Sequence, residues 1–396
     1  MQRLEARSGF WSAFGPGLLW AAAAIGISHL VQSTRAGAMA GFGLVGVVLL
    51  ANILKYPFFE FGPRYAAATG ESLIDGYRRI GRWALWLYIA ITIATGLIVQ
   101  SAIVLLTSFL LGYAFGVELP LAAMGAIVCI GSGALLFAGR YRLLDILIKG
   151  ILLLLAVSTI VAAVVSLGRA DLSTLRLLPS FSGPGSVSFP FVLALVGWMP
   201  SAIDIAVWSS LWTLANDESA GSTASMKHAL LDFRIGYIGT VVMAFAFLTL
   251  GATVMHGSGQ MFSPQGTRFS AQLIELYGRV LGDWTIPIVA TAVLTTMLST
   301  AVTVIDGYPR AIDRSIRVLS SGRYEGSRKG SMGPLYWVSL LAMTLGTVAV
   351  LGLFAGTLAA MRREPASRHL FPGATRLKQP ARARRTPRVQ RARGRA

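Results

Sequence analysis

The side chains of this chain best placed for chemistry fall in two short polar interruptions of long apolar runs. Ser28, His29, Gln32 and Ser33 cluster around the first, and Met199, Ser201 and Asp204 around the second. Gly26 and Ile27 mark the first interruption as a helix break, and Pro200 marks the second. Proline removes a backbone donor and glycine weakens a helix, so each break frees N–H and C=O groups in the middle of an apolar stretch. Such groups are tolerated at membrane depth only where protein buries them or a cavity receives them. An imidazole, a carboxylate, a thioether and several hydroxyls converging there could bind a cation or a small polar solute. His29, Asp204 and Met199 are the candidate metal ligands, and Ser28, Gln32 and Ser201 complete the candidate site. Asp204 carries most weight, because a carboxylate near mid-span costs ~2.5–3.5 kcal/mol on insertion scales and therefore faces the interior with a partner. Freed amides or Lys55 are the partners the sequence offers it.

The elements that must position these residues are membrane helices. Hydrophobic residues make up 54% of the 396 and charged ones 13%, where a soluble domain carries about a quarter charged. The mean hydropathy is +0.64. Nine predicted spans fall at roughly 14–33, 41–62, 83–113, 119–139, 143–168, 189–213, 229–255, 284–305 and 334–360, each long enough to cross about 30 Å of hydrocarbon. The broken spans are the first and the sixth, corresponding positions in two five-span halves, which is the sequence signature of a transporter's binding site. The chain reads as an all-α, multi-pass integral membrane protein. Residues 1–168 form a first five-span repeat and 169–188, rich in Ser, Gly and Pro, an external linker. Residues 189–360 form a second repeat one span short.

Charge orients it. With the N-terminus cytoplasmic, the inner segments carry seventeen Lys or Arg and the outer ones five, so the expectation is a cytoplasmic N-terminus in a bacterial cell membrane. The formal net charge of +18 does not imply nucleic-acid binding, because eleven of those charges belong to residues 361–396. That basic tail has no helical period and reads as disordered. On nine spans it falls outside, against the charge bias, and the expectation is that a tenth span has been lost, for instance through a frameshift. The segment Asp306-Gly307-Tyr308-Pro309-Arg310 reads as a solvated hinge after span eight. There is no phosphate-binding loop, nucleophile elbow or His-Glu-x-x-His, so the chain is not read as an enzyme and no cofactor is expected. The lone Cys129 excludes a disulfide within the chain.

Several stretches together resemble the Nramp family of divalent-metal transporters. They are Gly15-Pro16, Ala36-Gly37-Ala38, Ala51-Asn52, Ala67-Ala68-Thr69-Gly70 with Ser72-Leu73, and Met199-Pro200 followed by Ser209-Ser210-Leu211. The resemblance covers about the first 210 residues. It implies a leucine-transporter-like inverted-repeat fold with spans one and six unwound beside the substrate. The departures fall on the chemistry. The family's Asp-Pro-Gly-Asn aligns with Gly26-Ile27-Ser28-His29, so its carboxylate is absent. Its Met-Pro-His aligns with Met199-Pro200-Ser201, and Trp208 stands before the matching Ser-Ser-Leu, so both histidines are absent. The acidic pair of its proton route aligns with Gly96 and Val99, beside Gln100. The implied function is a secondary transporter working by alternating access with a divalent cation as cargo. Transport of another small polar solute, and a truncated membrane protein that no longer transports, are the alternatives.

Overall fold

The computed structural model describes residues 15–363 except 139–140, 177, 183–185, 221–224, 257, 259–261, 264–265 and 322–332. The basic tail after Arg363 lies outside the described residues. Contacts divide the chain into Met1–Ala355 and Gly356–Ala396, and the site lies in the first unit. Described regular structure is helical throughout.

The first apolar run does not make one helix. It gives α1 (Pro16–Ala24), stops at Ile25 and Gly26, continues as a π-helical stretch over Ile27–Ser33, and ends as α2 (Thr34–Ala40). Pro16 at the first turn of α1 supplies a fixed φ where no intrahelical N–H bond is lost. The run therefore extends seven residues beyond its predicted end at 33, and Ile27 opens the π-helical stretch instead of lying in unwound chain. The helices α3 (Val45–Thr69), α4 (Leu73–Ile80), α5 (Arg82–Phe115), α6 (Leu121–Phe137) and α7 (Tyr141–Ser166) follow. The sixth apolar run is divided into α8 (Phe189–Trp198) and α9 (Ile205–Ala220), separated by Met199–Asp204. After it come α10 (Met226–Val254), α11 (Gly266–Leu281), α12 (Ile286–Ser321) and α13 (Pro334–Arg363).

Two differences from the sequence expectation stand out. An amphipathic helix, α11, occupies what reads as an external loop; its Phe269, Leu273, Leu276 and Tyr277 recur at helical spacing and are buried. The second is the expected hinge at Asp306–Arg310, which is instead the interior of α12. Asp306 is 5% exposed and Tyr308 fully buried, with Pro309 accommodated inside the helix. Asp306 is no solvated charge: Arg310 pairs with it at 2.9 Å and Tyr336 donates to it at 2.7 Å.

Among the described residues, five helical stretches are long and apolar enough to cross a membrane: Val45–Thr69, Arg82–Phe115, Met226–Val254, Asp283–Ser320 and Pro334–Ala355. Their outer faces carry the residues that lipid would cover, such as Ile53, Leu54 and Phe58 on α3. The broken helices pack inside. The first lies along α10 and the second along α3. Glycine permits the approach. A Cβ at Gly37 would lie 2.0 Å from the Leu248 carbonyl oxygen, and one at Gly251 2.0 Å from that of Thr34. Gly62 on α3 is held the same way, since a Cβ there would lie 2.2 Å from the Ala206 oxygen of α9. Below the first break Trp20 is fully buried, with ring centroids at 5.3 Å from Phe59, 5.5 Å from Phe233 and 5.2 Å from Tyr237.

Candidate functional site

The two breaks face one another across a cavity of about 20 Å³, enough for one water, lined by Ser28, Val99, Ser201, Trp208, Thr300 and Tyr308 among others. Each break leaves main-chain groups without helical partners, and each is resolved differently. At the first, the Gly26 carbonyl accepts from the N–H groups of His29 at 3.2 Å and Leu30 at 3.0 Å, at the head of the π-helical stretch. Gly26 sits hard against α12, where an added Cβ would meet Thr300 Cγ2 at 2.9 Å. At the second, the Met199–Pro200 peptide is cis and the chain resumes helical bonding when Val207 and Trp208 donate to the Asp204 carbonyl.

The structure separates the sequence-derived candidates into four groups. Ser28 and Ser201 line the cavity from opposite breaks. Asp204 is buried beside it, and its Oδ2 accepts from Thr95 Oγ1 of α5 at 3.1 Å and from the Tyr308 hydroxyl of α12 at 3.2 Å. The carboxylate thus ties the second break to α5 and α12. His29 and Met199, expected from sequence to face an ion, are engaged elsewhere. His29 is fully buried, with Nε2 2.9 Å from the Thr240 carbonyl oxygen and Nδ1 2.8 Å from Ser28 Oγ and 3.0 Å from the Ala24 oxygen. The Thr240 carbonyl can only accept, so Nε2 carries the proton and donates to it, while Nδ1 lies against the Ser28 hydroxyl and the Ala24 carbonyl, to which that hydroxyl itself donates at 2.5 Å. Met199 is fully buried in an apolar cluster with Leu195, Ala244 and Leu248, where its thioether packs. Gln32 is half-buried, and its Oε1 has no hydrogen-bond partner.

Lys55 is not the partner of Asp204. Its Nζ donates to the carbonyl oxygens of Val196 at 2.6 Å, Gly197 at 2.8 Å and Ser201 at 3.5 Å, the carbonyls that the end of α8 exposes. Glu60 pairs with Arg64 one turn on, as the spacing predicts, and Arg234 of α10 stands 3.5 Å from it.

Sequence reasoning passed over the residues that meet Asp204. Tyr308 lay in the segment read as a hinge, and Thr95 was one of many hydroxyls on an apolar helix. A glycine pattern places the aromatic rings. A Cβ at Gly96 would lie 2.8 Å from the Tyr308 ring, and one at Gly307 2.9 Å from the Trp208 ring. Trp208 and Tyr308 then meet edge to face at 4.8 Å. Among the described residues no group of three or more His, Cys, Asp or Glu converges as a metal site. The donors lining the cavity are hydroxyl and main-chain oxygen atoms, together with the unpartnered indole N–H of Trp208, and the Asp204 carboxylate stands behind this wall, bonded to the lining residue Tyr308.

Apolar helices packed with glycine, two of them broken opposite each other around a small polar-lipped cavity, define the broken-helix architecture of membrane transporters. Within that class the chain belongs to the Nramp family, natural resistance-associated macrophage protein-like, which it matches over residues 17–308. An uncharacterized protein of Pasteurella multocida is 36% identical over 311 residues, covering 78% of this chain and 71% of that protein. The divalent metal cation transporter MntH of Chromohalobacter salexigens is 26% identical over 63% of this chain, and the match spans 59% of its length. MntH of Brucella suis is 25% identical over the same share, spanning 55% of its own length. A mutant of the manganese transporter of Eremococcus coleocola superposes with a TM-score of 0.68 at 14% identity, covering 92% of this chain and 75% of that one. The fold is therefore the leucine-transporter-like one that the sequence resemblance implied.

Proposed function

We propose that the chain moves a divalent cation across the membrane by alternating access, through the cavity between the two breaks. The carrying observation is Asp204, a buried carboxylate held by Thr95 and Tyr308 at the edge of a cavity with Ser28 on one wall and Ser201 on the other. Family membership and the divalent-metal transport named for two relatives support the same reading.

The donor set argues for a hard ion. Carboxylate, hydroxyl and carbonyl oxygens suit magnesium and manganese, whereas copper or zinc would draw on imidazole and thioether ligands, which His29 and Met199 do not offer here. A cavity of about 20 Å³ cannot admit a hydrated ion, so loading requires the broken helices to move relative to α5 and α12. Asp204 spans that boundary. Breaking its bonds to Thr95 and Tyr308 would free the carboxylate as the ion arrives, which couples occupancy to helix position.

A second reading, transport of another small polar solute, rests on the walls of the cavity, where Trp198, Trp208 and Tyr308 outnumber charged groups. Uptake of manganese, iron, cobalt and magnesium into proteoliposomes decides between them. Uptake of at least one, abolished in Asp204→Asn, supports the proposal. Uptake unchanged by that substitution removes Asp204 from the site, and uptake of none of the four shifts the assignment to the solute.

A further inference from the structure

The ammonium of Lys55 occupies a position that calls for a function of its own. It arises from α3, in a span whose neighbouring positions Ile53, Leu54 and Phe58 face outward and apolar. Yet it turns to the end of α8 and reaches three carbonyl oxygens there, from Val196, Gly197 and Ser201 at 2.6, 2.8 and 3.5 Å. An ammonium has three N–H donors and here meets three acceptors. Two of the carbonyls belong to the last turn of α8, where no further turn supplies N–H partners, and the third to the unwound segment that follows. The negative end of a helix dipole adds to the attraction for a cation.

Such an arrangement of carbonyls is what an alkali cation uses when it sheds water, and ammonium and potassium are similar in size. Neither apolar packing nor a surface ion pair explains it. Among the described residues no carboxylate forms an ion pair with Lys55, and Asp204 spends its Oδ2 on Thr95 and Tyr308. We propose that the end of α8 is a monovalent-cation site whose ion is built into the chain as Lys55. The protein accordingly needs no sodium or potassium to hold the second break, and removing the side chain uncovers a site for them. Lys55 does not itself line the cargo cavity, although Ser201, whose carbonyl it reaches, does, and the test reads unfolding and so does not depend on what is transported.

The experiment is thermal unfolding of the purified full chain in detergent, wild type against Lys55→Ala, in sodium, potassium, methylammonium or choline chloride at equal ionic strength. The wild-type midpoint should be the same in all four. Lys55→Ala should lose several degrees in choline, which is too bulky for the cage, and regain at least half of the loss in one of the three smaller cations. Lys55→Arg, which keeps the charge, should remain insensitive to the salt. If Lys55→Ala does not survive purification, Lys55→Gln is read the same way, because its amide keeps donors without charge. An equal loss in all four salts, no loss in any, or a wild type that itself responds to sodium or potassium would overturn the proposal.

Discussion

The contact between the first broken helix and α10 makes a sharp quantitative prediction. Gly37 on α2 faces the Leu248 carbonyl so closely that an alanine Cβ would lie 2.0 Å from it, and real Cβ contacts essentially never fall below 3.0 Å. Gly37→Ala therefore forces the two backbones apart by about 1 Å. The opposing atom is main chain, so no side-chain rotation relieves the clash, and the reciprocal contact of Gly251 with the Thr34 oxygen is pulled open with it. Overpacking of this kind costs about 1–3 kcal/mol. Against it stands the gain of roughly 0.5–1 kcal/mol for replacing glycine by alanine inside a helix. Gly239 measures that gain alone, since it lies on the same α10 and a Cβ added there would meet nothing within 4 Å. Thermal unfolding of the three proteins side by side is the assay. Gly239→Ala should match or exceed wild type and Gly37→Ala should fall clearly below it. Because α2 continues directly from the π-helical stretch, Gly37→Ala should also lower uptake. Equal midpoints for the two alanine variants would refute the close packing.

Other substitutions test the frame around the site. Asp232 of α10 accepts from the Gly17 amide at the start of α1 at 2.6 Å, so Asp232→Ala should cost about 1–2 kcal/mol in unfolding free energy. The largely buried pair of Asp75 with Arg314, 3.0 Å apart, joins α4 to α12. Asp75→Asn or Arg314→Ala alone should cost about 3–5 kcal/mol, and the double variant less than the sum, read by a double-mutant cycle on thermal unfolding. Gly96→Ala should displace the Tyr308 ring, which an added Cβ would meet at 2.8 Å, and so loosen its bond to Asp204. Losing a hydrogen bond to a charged group costs about 1.5–3 kcal/mol of folded-state stability, so the unfolding free energy of Gly96→Ala, read by thermal unfolding, should fall below wild type by about that amount.

The architecture was legible because it follows from strong, simple signals. Long apolar runs and the helix-breaking residues Gly26 and Pro200 place the two interruptions where the structure has them. Glu60 and Arg64 meet as their four-residue spacing requires. What the sequence could not give is which neighbour each polar group finds. Lys55 and Asp204 looked complementary as the unmatched charges near mid-span, but exposed carbonyls at a helix end compete for an ammonium as well as a carboxylate does, and α8 lies nearer. His29 resembled a ligand by type, yet a π-helical stretch turns it onto Thr240 of α10, and no periodicity announces a π-helical stretch. The hinge expected at Asp306–Arg310 failed for a similar reason. Gly307 and Pro309 signal a break locally, whereas the packing of Trp208 on Gly307 and the bonding of Asp306 to Arg310 and Tyr336 hold the helix through it. The amphipathic helix α11 was readable in principle from the spacing of Phe269, Leu273, Leu276 and Tyr277.

The central claim is that both breaks open onto one path for the cargo, and thiol accessibility tests it most directly. The only native cysteine, Cys129, is buried, so Ser28→Cys and Ser201→Cys can be read against a quiet background. A charged, membrane-impermeant thiol reagent applied to inside-out and right-side-out vesicles should modify both positions, and manganese or magnesium should slow both reactions in parallel. Leu345→Cys, on the outward apolar face of α13, should stay unmodified. If neither serine position reacts from either side, or if only one does and the cation leaves its rate unchanged, the two breaks do not share a path and the account is wrong.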